Sequence, residues 1–244
     1  MKGVKKSLPL FVALFLLLAM LSEPIEAKSG FCHGAREEKY VALTFDDGPH
    51  PRYTEQILSI LSRYGVKATF FMIGSNVSYY PEVAKAVHAN GHEIGCHTYS
   101  HPHMKQLSQR ALSEEIKKSE EIFSALSIPR PVIFRPPEGF RSEEQVKLVE
   151  EMGYRVVIWS LDPKDWKGTS SAQMVSVMIS QVQGGDVLLF HDYISGQNNT
   201  IAAIEQLIPK LLESGYQFVT VSEMMRMERD HSVGALAFSA CSLW

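Results

Sequence analysis

The sequence predicts an α/β fold, a distorted (β/α)7-type barrel in a single domain, with its catalytic face at the C-terminal strand ends. Three observations carry this. Strand-like and helix-like segments alternate strictly, as parallel strands joined by crossover helices require. The strand segments are near-continuous apolar runs, which fits burial on both faces. Polar residues capable of chemistry stand just past strand ends, where such barrels build their sites.

The first unit pairs an apolar strand at Tyr40 to Phe45 with a helix at Tyr53 to Tyr64, where Ile57, Leu58, Ile60 and Leu61 keep helical spacing. Ala68 to Ile73 is the second strand. Pro81 to Asn90 starts on proline and stops before Gly91, as a short helix should. Glu93 to His97 is the third strand, followed by an amphipathic helix at Ser108 to Leu126. Val132 to Phe134 is the fourth, and its helix, Ser142 to Met152, has a serine cap and Gly153 behind it. Tyr154 to Trp159, Asp186 to Phe190 and Gln217 to Val221 complete the strands. Ser171 to Val182, Thr200 to Glu213 and Ser222 to Met227 are their helices.

Composition excludes several classes. Of 244 residues, 45% are hydrophobic and 21% charged, ordinary for a globular protein, so disorder and a multi-span membrane protein are set aside. A net charge of −3 gives no basic footprint for nucleic acid. The start reads as a signal peptide over 1–27: Lys2, Lys5 and Lys6, then an apolar run from Leu8 to Leu21, then a small residue at Ala27. An uncleaved anchor is the alternative, and either reading puts the folded part outside the cytoplasmic membrane, secreted or in the cell envelope. The remaining organisation is an extension at 28–38, the domain at 39–228 and an apolar tail at 229–244. A monomer is expected, with membrane or cell-wall association left open. Cys32 and Cys241 stand near the ends of the mature chain, and an oxidising compartment permits a bridge between them. Cys96, in an apolar strand, reads as a buried thiol.

Several residues past the strand ends are suited to chemistry. Asp46 and Asp47 precede Gly48-Pro49, which forces a turn; adjacent aspartates leaving a strand point apart and can do different jobs, or the pair is only a helix cap. His97 and His101 are four apart, a spacing that on a helix puts both on one face to grip a metal, and Asp47 makes an open set of three. His103 is the competing choice. Arg135 opens Arg-Pro-Pro-Glu-Gly, a stiff loop able to aim a backbone N–H at an oxyanion, or Arg135 is a structural ion pair. Asp165 and Trp166, like Asp162, come after the fifth strand: a carboxylate to orient a histidine and a ring to line a pocket. His191 ends the sixth strand and is a candidate general acid beside Asp165.

Taken in order, TFDDGP, HTYSH, RPPEG, DPKDW and LLFH resemble the five motifs of the polysaccharide deacetylase family, carbohydrate esterase family four, also called the NodB homology domain. The likeness spans roughly Lys39 to Met227. It implies a distorted (β/α) barrel and a hydrolase that removes N-acetyl groups from N-acetylglucosamine units of peptidoglycan or chitin-like oligomers. It implies Asp47, His97 and His101 as ligands of Zn2+ or another divalent transition metal, and Asp46 as the base that activates the attacking water. Arg135 is implied to hold Asp46 charged, and Asp165 to tune His191, the acid that protonates the leaving amine. Trp166 and Leu189 are implied to wall the acetyl pocket. Pro137, Glu138 and Gly139 contact substrate in this reading, with the Glu138 backbone N–H completing an oxyanion hole. Glu138 departs from the family tyrosine, which bears on substrate choice more than on reaction type. An O-acetyl esterase acting on xylan or another polymer, and an inactive carbohydrate-binding wall protein, are the alternatives.

Overall fold

A computed structural model describes residues 30–194 and 198–232. The signal-peptide reading, the bridge to Cys241 and the tail beyond 232 therefore lie outside the described residues. Among those described, seven parallel strands form one curled sheet: β1 (Tyr40–Asp46), β2 (Thr69–Met72), β3 (Glu93–Cys96), β4 (Ile133–Phe134), β5 (Arg155–Val156), β6 (Val187–His191) and β7 (Gln217–Phe218). The order is β5-β4-β3-β2-β1-β6, with β7 also on β1. Eight helices surround it: α1 (Tyr53–Tyr64), α2 (Gly74–Tyr79), α3 (Pro81–Ala89), α4 (Gln109–Ala125), α5 (Glu143–Glu151), α6 (Ser171–Gln181), α7 (Thr200–Glu213) and α8 (Val221–Ser232). Helix α8 runs on through the expected boundary at residue 228.

Strand β1 is the axis of the fold. All seven of its residues are buried, because helices cover one face and the barrel interior the other. Leu43 and Phe45 pack in one cluster with Phe70, Leu188 and Phe190, against Ile57 and Leu61 of α1 and Leu207 of α7. The helix ends obey local chemistry. Ser142 and Ser170 form reciprocal capping boxes with Gln145 and Gln173 at the starts of α5 and α6.

The sheet curls without closing into a regular barrel. The expected fifth strand, Tyr154 to Trp159, is cut to Arg155–Val156. Beyond Val156 the N-terminal extension takes over the edge: Phe31 N–H donates to Val156 at 2.8 Å, and the Phe31 carbonyl accepts from Ile158 N–H at 2.7 Å. The chain then crosses to β6, where Leu189 N–H donates to Leu161 at 2.9 Å. Periodicity cannot show this, because Phe31 lies more than a hundred residues away. Helix α2 is likewise absent from the sequence reading. It has no side-chain cap and is only six residues long.

Register places the chemistry. Asp46 lies directly across from His191, and Cys96 from Phe134. Adjacent strands sit about 4.8 Å apart. The ends of β1 and β6 therefore set Asp46 beside His191, and the ends of β3 and β4 set His97 beside Arg135.

Candidate active site

The turn after β1 separates the two aspartates by backbone conformation. Asp46 ends the strand, 3% exposed. Asp47 takes a left-handed conformation at φ 74°, which aspartate tolerates better than most residues. The two carboxylates diverge for that reason, and not because both lie in extended chain. A Cβ at Gly48 would run into the Asp192 carboxylate, so only glycine fits there.

Arg135 is fully buried at the end of β4. Its Nη1 donates to Asp46 Oδ1 at 2.6 Å and to Thr44 Oγ1 at 2.8 Å, and its Nη2 to the Ile158 carbonyl at 3.1 Å. Its guanidinium carbon lies 4.0 Å from the centre of the Phe71 ring. A buried carboxylate needs such a partner, since breaking a buried pair costs about 3–5 kcal/mol. The ion-pair reading of Arg135 and the Asp46-holding reading are thus one contact.

His97 and His101 do not share a helix face. Thr98 and His101 both adopt positive φ, 64° and 54°, so the segment is a coiled loop that folds the second imidazole back toward the first. Their ring centroids are 5.1 Å apart. Glu115 of α4 fixes this loop: its carboxylate accepts from the N–H groups of Tyr99 (2.9 Å) and Ser100 (2.8 Å) and from the Ser100 hydroxyl (2.9 Å). Sequence reasoning passes over Glu115 as one of several charges on an exposed helix face.

Asp47 Oδ1 stands 3.4 Å from His97 Nε2 and 3.4 Å from His101 Nε2. It is buried and makes no hydrogen bond that satisfies it. The three ligand atoms lie within 4.8 Å of one another. Ligands at about 2.1 Å around a tetrahedral ion are about 3.4 Å apart, so the set fits a divalent metal. His97 Nδ1 donates to the Arg135 carbonyl at 2.7 Å, which leaves Nε2 with its lone pair toward the same point. Burial, with His97 beside it, holds His101 below the ordinary histidine value, favouring the neutral ligand form. Burial alone would raise the Asp47 carboxyl, but the imidazoles of His97, His191 and His101 around it bring it below the ordinary value.

His191 faces this cluster from β6. Its Nδ1 donates to Asp165 Oδ1 at 2.8 Å and its backbone N–H to Asp165 Oδ2 at 2.8 Å. Thr200 Oγ1 and the Trp166 N–H complete four donors on this buried carboxylate. The tautomer is thereby set, leaving Nε2 for the cavity. Burial opposes a proton on His191, yet the Asp165 carboxylate, aided by Asp46 and Asp47, outweighs it and raises the imidazole to about 9.

A cavity of about 440 Å³ joins these groups, lined by Asp46, Asp47, His97, His101 and His191, with Glu138, Trp159, Asp162, Trp166 and Leu189 as walls. Pro137 and Gly139 do not line it. Pro137 is buried, and Gly139 packs beside Trp159, whose ring a Cβ there would meet at 2.7 Å. Glu138 stands between them at φ 59°, with its carboxylate 3.1 Å from His103 Nδ1. His103 is therefore a partner of Glu138 at the rim and not a member of the three-ligand cluster. Trp159 escapes the sequence reading because it looks like one more apolar residue of a strand.

The polysaccharide deacetylase family model matches residues 33–157. The chain is 40% identical over 191 residues to a peptidoglycan-N-acetylglucosamine deacetylase of Bacillus cereus, spanning 78% of this chain and 89% of that one. Among solved structures, it resembles the Bc1960 peptidoglycan N-acetylglucosamine deacetylase at 36% identity, with a TM-score of 0.78 over 82% of this chain and 94% of that one. It also resembles BA3943, a carbohydrate esterase family four pseudoenzyme of Bacillus anthracis, at 30% identity, with a TM-score of 0.73 over 80% of this chain and 68% of that one.

Proposed function

The chain belongs to the polysaccharide deacetylase family, carbohydrate esterase family four, and from that premise we propose that it is a metal-dependent hydrolase. Its reaction is removal of N-acetyl groups from N-acetylglucosamine units of peptidoglycan or of chitin-like oligomers. It works outside the cytoplasmic membrane, where that polymer lies. One observation carries the reading: a single cavity unites Asp46 paired to Arg135, His191 paired to Asp165, and the Asp47, His97 and His101 cluster.

Asp47 Oδ1, His97 Nε2 and His101 Nε2 would hold a divalent cation, zinc by family resemblance; when bound it polarises the acetyl carbonyl and acidifies water. Asp46 takes the proton of the attacking water, and Arg135 keeps that carboxylate charged and aimed. The Glu138 backbone N–H donates to the developing oxyanion. His191 Nε2 gives its proton to the nitrogen as the C–N bond breaks, and Asp165 supports the resulting charge change. Leu189 and Trp166 enclose the methyl group.

An imidazole whose proton is held by a buried carboxylate, as Asp165 holds that of His191, suits an amine leaving group, which cannot depart unprotonated; an ester makes a weaker demand. That favours the amide over the O-acetyl ester. The resemblance to a pseudoenzyme shows that this fold alone does not guarantee turnover, so the residues must argue for it, and all of Asp46, Asp47, His97, His101 and His191 are here. The test is acetate release from N-acetylglucosamine oligomers, peptidoglycan and acetylxylan, with metal-loaded and chelator-stripped protein. Metal-dependent release from the amides supports the proposal. Release from acetylxylan alone replaces it with the esterase, and no release with metal bound leaves the binding protein.

A further inference from the structure

A cluster of exposed aromatic rings lies outside the cavity, and the mechanism does not use it. Tyr79 is 75% exposed, Tyr193 40% and Tyr80 36%. Tyr193 stacks on His50 with ring centroids 5.1 Å apart and planes 13° from parallel, and Tyr53 stacks on the same imidazole at 4.7 Å and 25°. Tyr80 meets His50 at 6.0 Å and Tyr79 meets Tyr80 at 6.4 Å. His50 is itself fixed, since its Nδ1 accepts from the N–H groups of Arg52 and Tyr53 at 3.2 and 3.3 Å. Five rings from three separate chain segments therefore meet in one patch in contact with solvent. Apolar groups gathered at a surface in this way mark a ligand site more often than chance.

The patch lies at the same end of the sheet as the cavity, on segments that run on from the site's own residues. His50 stands three residues past Asp47, and Tyr193 two past His191. Tyr79 ends α2, whose Asn76 donates to the Asp47 carbonyl at 2.8 Å. The segments leave the C-terminal ends of β1, β2 and β6, the same ends that carry the site.

We propose that His50, Tyr53, Tyr79, Tyr80 and Tyr193 form a sugar-stacking platform that binds the glycan units next to the one being deacetylated. The cavity takes one acetamido sugar, and a polymer must continue across the rim. A pyranose ring offers a face of C–H groups and an edge of hydroxyls. A tyrosine complements both, with a flat apolar ring, a hydroxyl at its tip and only two rotatable bonds to immobilise. The pre-stacked arrangement lowers the ordering cost further. The proposal rests on the deacetylase reading for its ligand, but not on turnover.

The test is binding of N-acetylglucosamine oligomers of increasing length, by calorimetry, to metal-loaded protein carrying Asp46→Asn so that nothing is consumed. Affinity should rise with length. Tyr79→Ala with Tyr193→Ala should flatten that rise, with a loss of about tenfold for the longest oligomer if each ring contributes on the order of 0.5–1 kcal/mol. Trp166→Ala should weaken all lengths alike. Tyr79→Ala alone, at the most exposed ring, perturbs folding least and should give part of the same flattening. An unchanged length dependence in these variants overturns the platform, and so does binding that does not grow with length before mutation. Length-dependent binding without acetate release by the unmutated protein would sink the enzyme reading and leave the platform standing.

Discussion

Replacing Asp165 by asparagine removes the charge that sets His191 while keeping size and some hydrogen bonding. The imidazole stands at about 9 against an ordinary 6.5, and the Asp165 carboxylate is the leading upward influence against burial. The full difference corresponds to roughly 3 kcal/mol, and allowing for Asp46, Asp47 and partial solvent contact leaves roughly 2–3 kcal/mol. At pH 8 a group titrating at 9 is about nine-tenths protonated, and one about two units lower only about one-tenth. With His191 as the acid, acetate release at pH 8 should fall about tenfold, and the basic limb of the pH–rate profile should move down by about two units. Bound metal lowers both proteins' values and leaves their difference. Stability changes in a fixed direction. Because the folded value is raised, the charged imidazole stabilises the fold fully below about pH 6.5, and this is lost as pH rises through about 9. The stability gap between wild type and variant should therefore shrink by roughly 2–3 kcal/mol across that window in denaturant titrations. A basic limb that stays in place in Asp165→Asn, together with a pH-independent stability gap, would show that Asp165 does not set the proton on His191.

Other positions give separate tests. Glu115→Ala should free the His97 to His101 loop and weaken metal affinity about 10–100-fold in a competition titration, as supporting partners of metal ligands do; unchanged affinity would return Glu115 to the surface. Asp192 is fully buried, accepts from Thr54 Oγ1 at 2.5 Å, and burial raises it to about 7 from an ordinary 3.8. A raised carboxyl costs stability increasingly from about pH 4 to 7, so metal-free Asp192→Asn should melt higher than wild type at pH 8 and lose that slope; a lower Tm at pH 8 would contradict this. His101→Ala should abolish tight metal binding whereas His103→Ala should not, and the reverse would reassign the ligand. Glu138→Tyr should change the ratio of rates on neutral oligomers and on carboxylate-bearing peptidoglycan, since Glu138 is a half-exposed carboxylate on the cavity wall; an unchanged ratio removes it from the specificity argument.

Much of this is legible in the sequence because local chemistry and position coincide. A central parallel strand buried on both faces must read as an apolar run, and in a barrel the next residues along the chain emerge at the open end. That places Asp46, His97, Arg135 and His191 before any coordinate. The remainder depends on long-range contacts that leave no local mark. Nothing in Glu115 distinguishes it from Glu114, its exposed neighbour on the same helix. Trp159 lines the cavity just past the bridge that Phe31 makes with Val156 and Ile158, and the pairing of Glu138 with His103 joins two loops 35 positions apart. The left-handed residues at Asp47, Thr98 and His101 are also hidden, since none is glycine. They show that the histidine spacing is informative for a reason other than a helix.

The adjacent aspartates divide proton transfer and metal binding between them. Asp46→Asn, compared with Asp47→Asn, tests this through metal content and acetate release measured on the same purified samples. Asp46→Asn should retain about one metal per chain and lose turnover by at least 10²-fold, the lower end of what a positioned base contributes. Asp47→Asn should lose the metal. Retention of metal by Asp47→Asn with loss from Asp46→Asn would contradict the assignment of both residues.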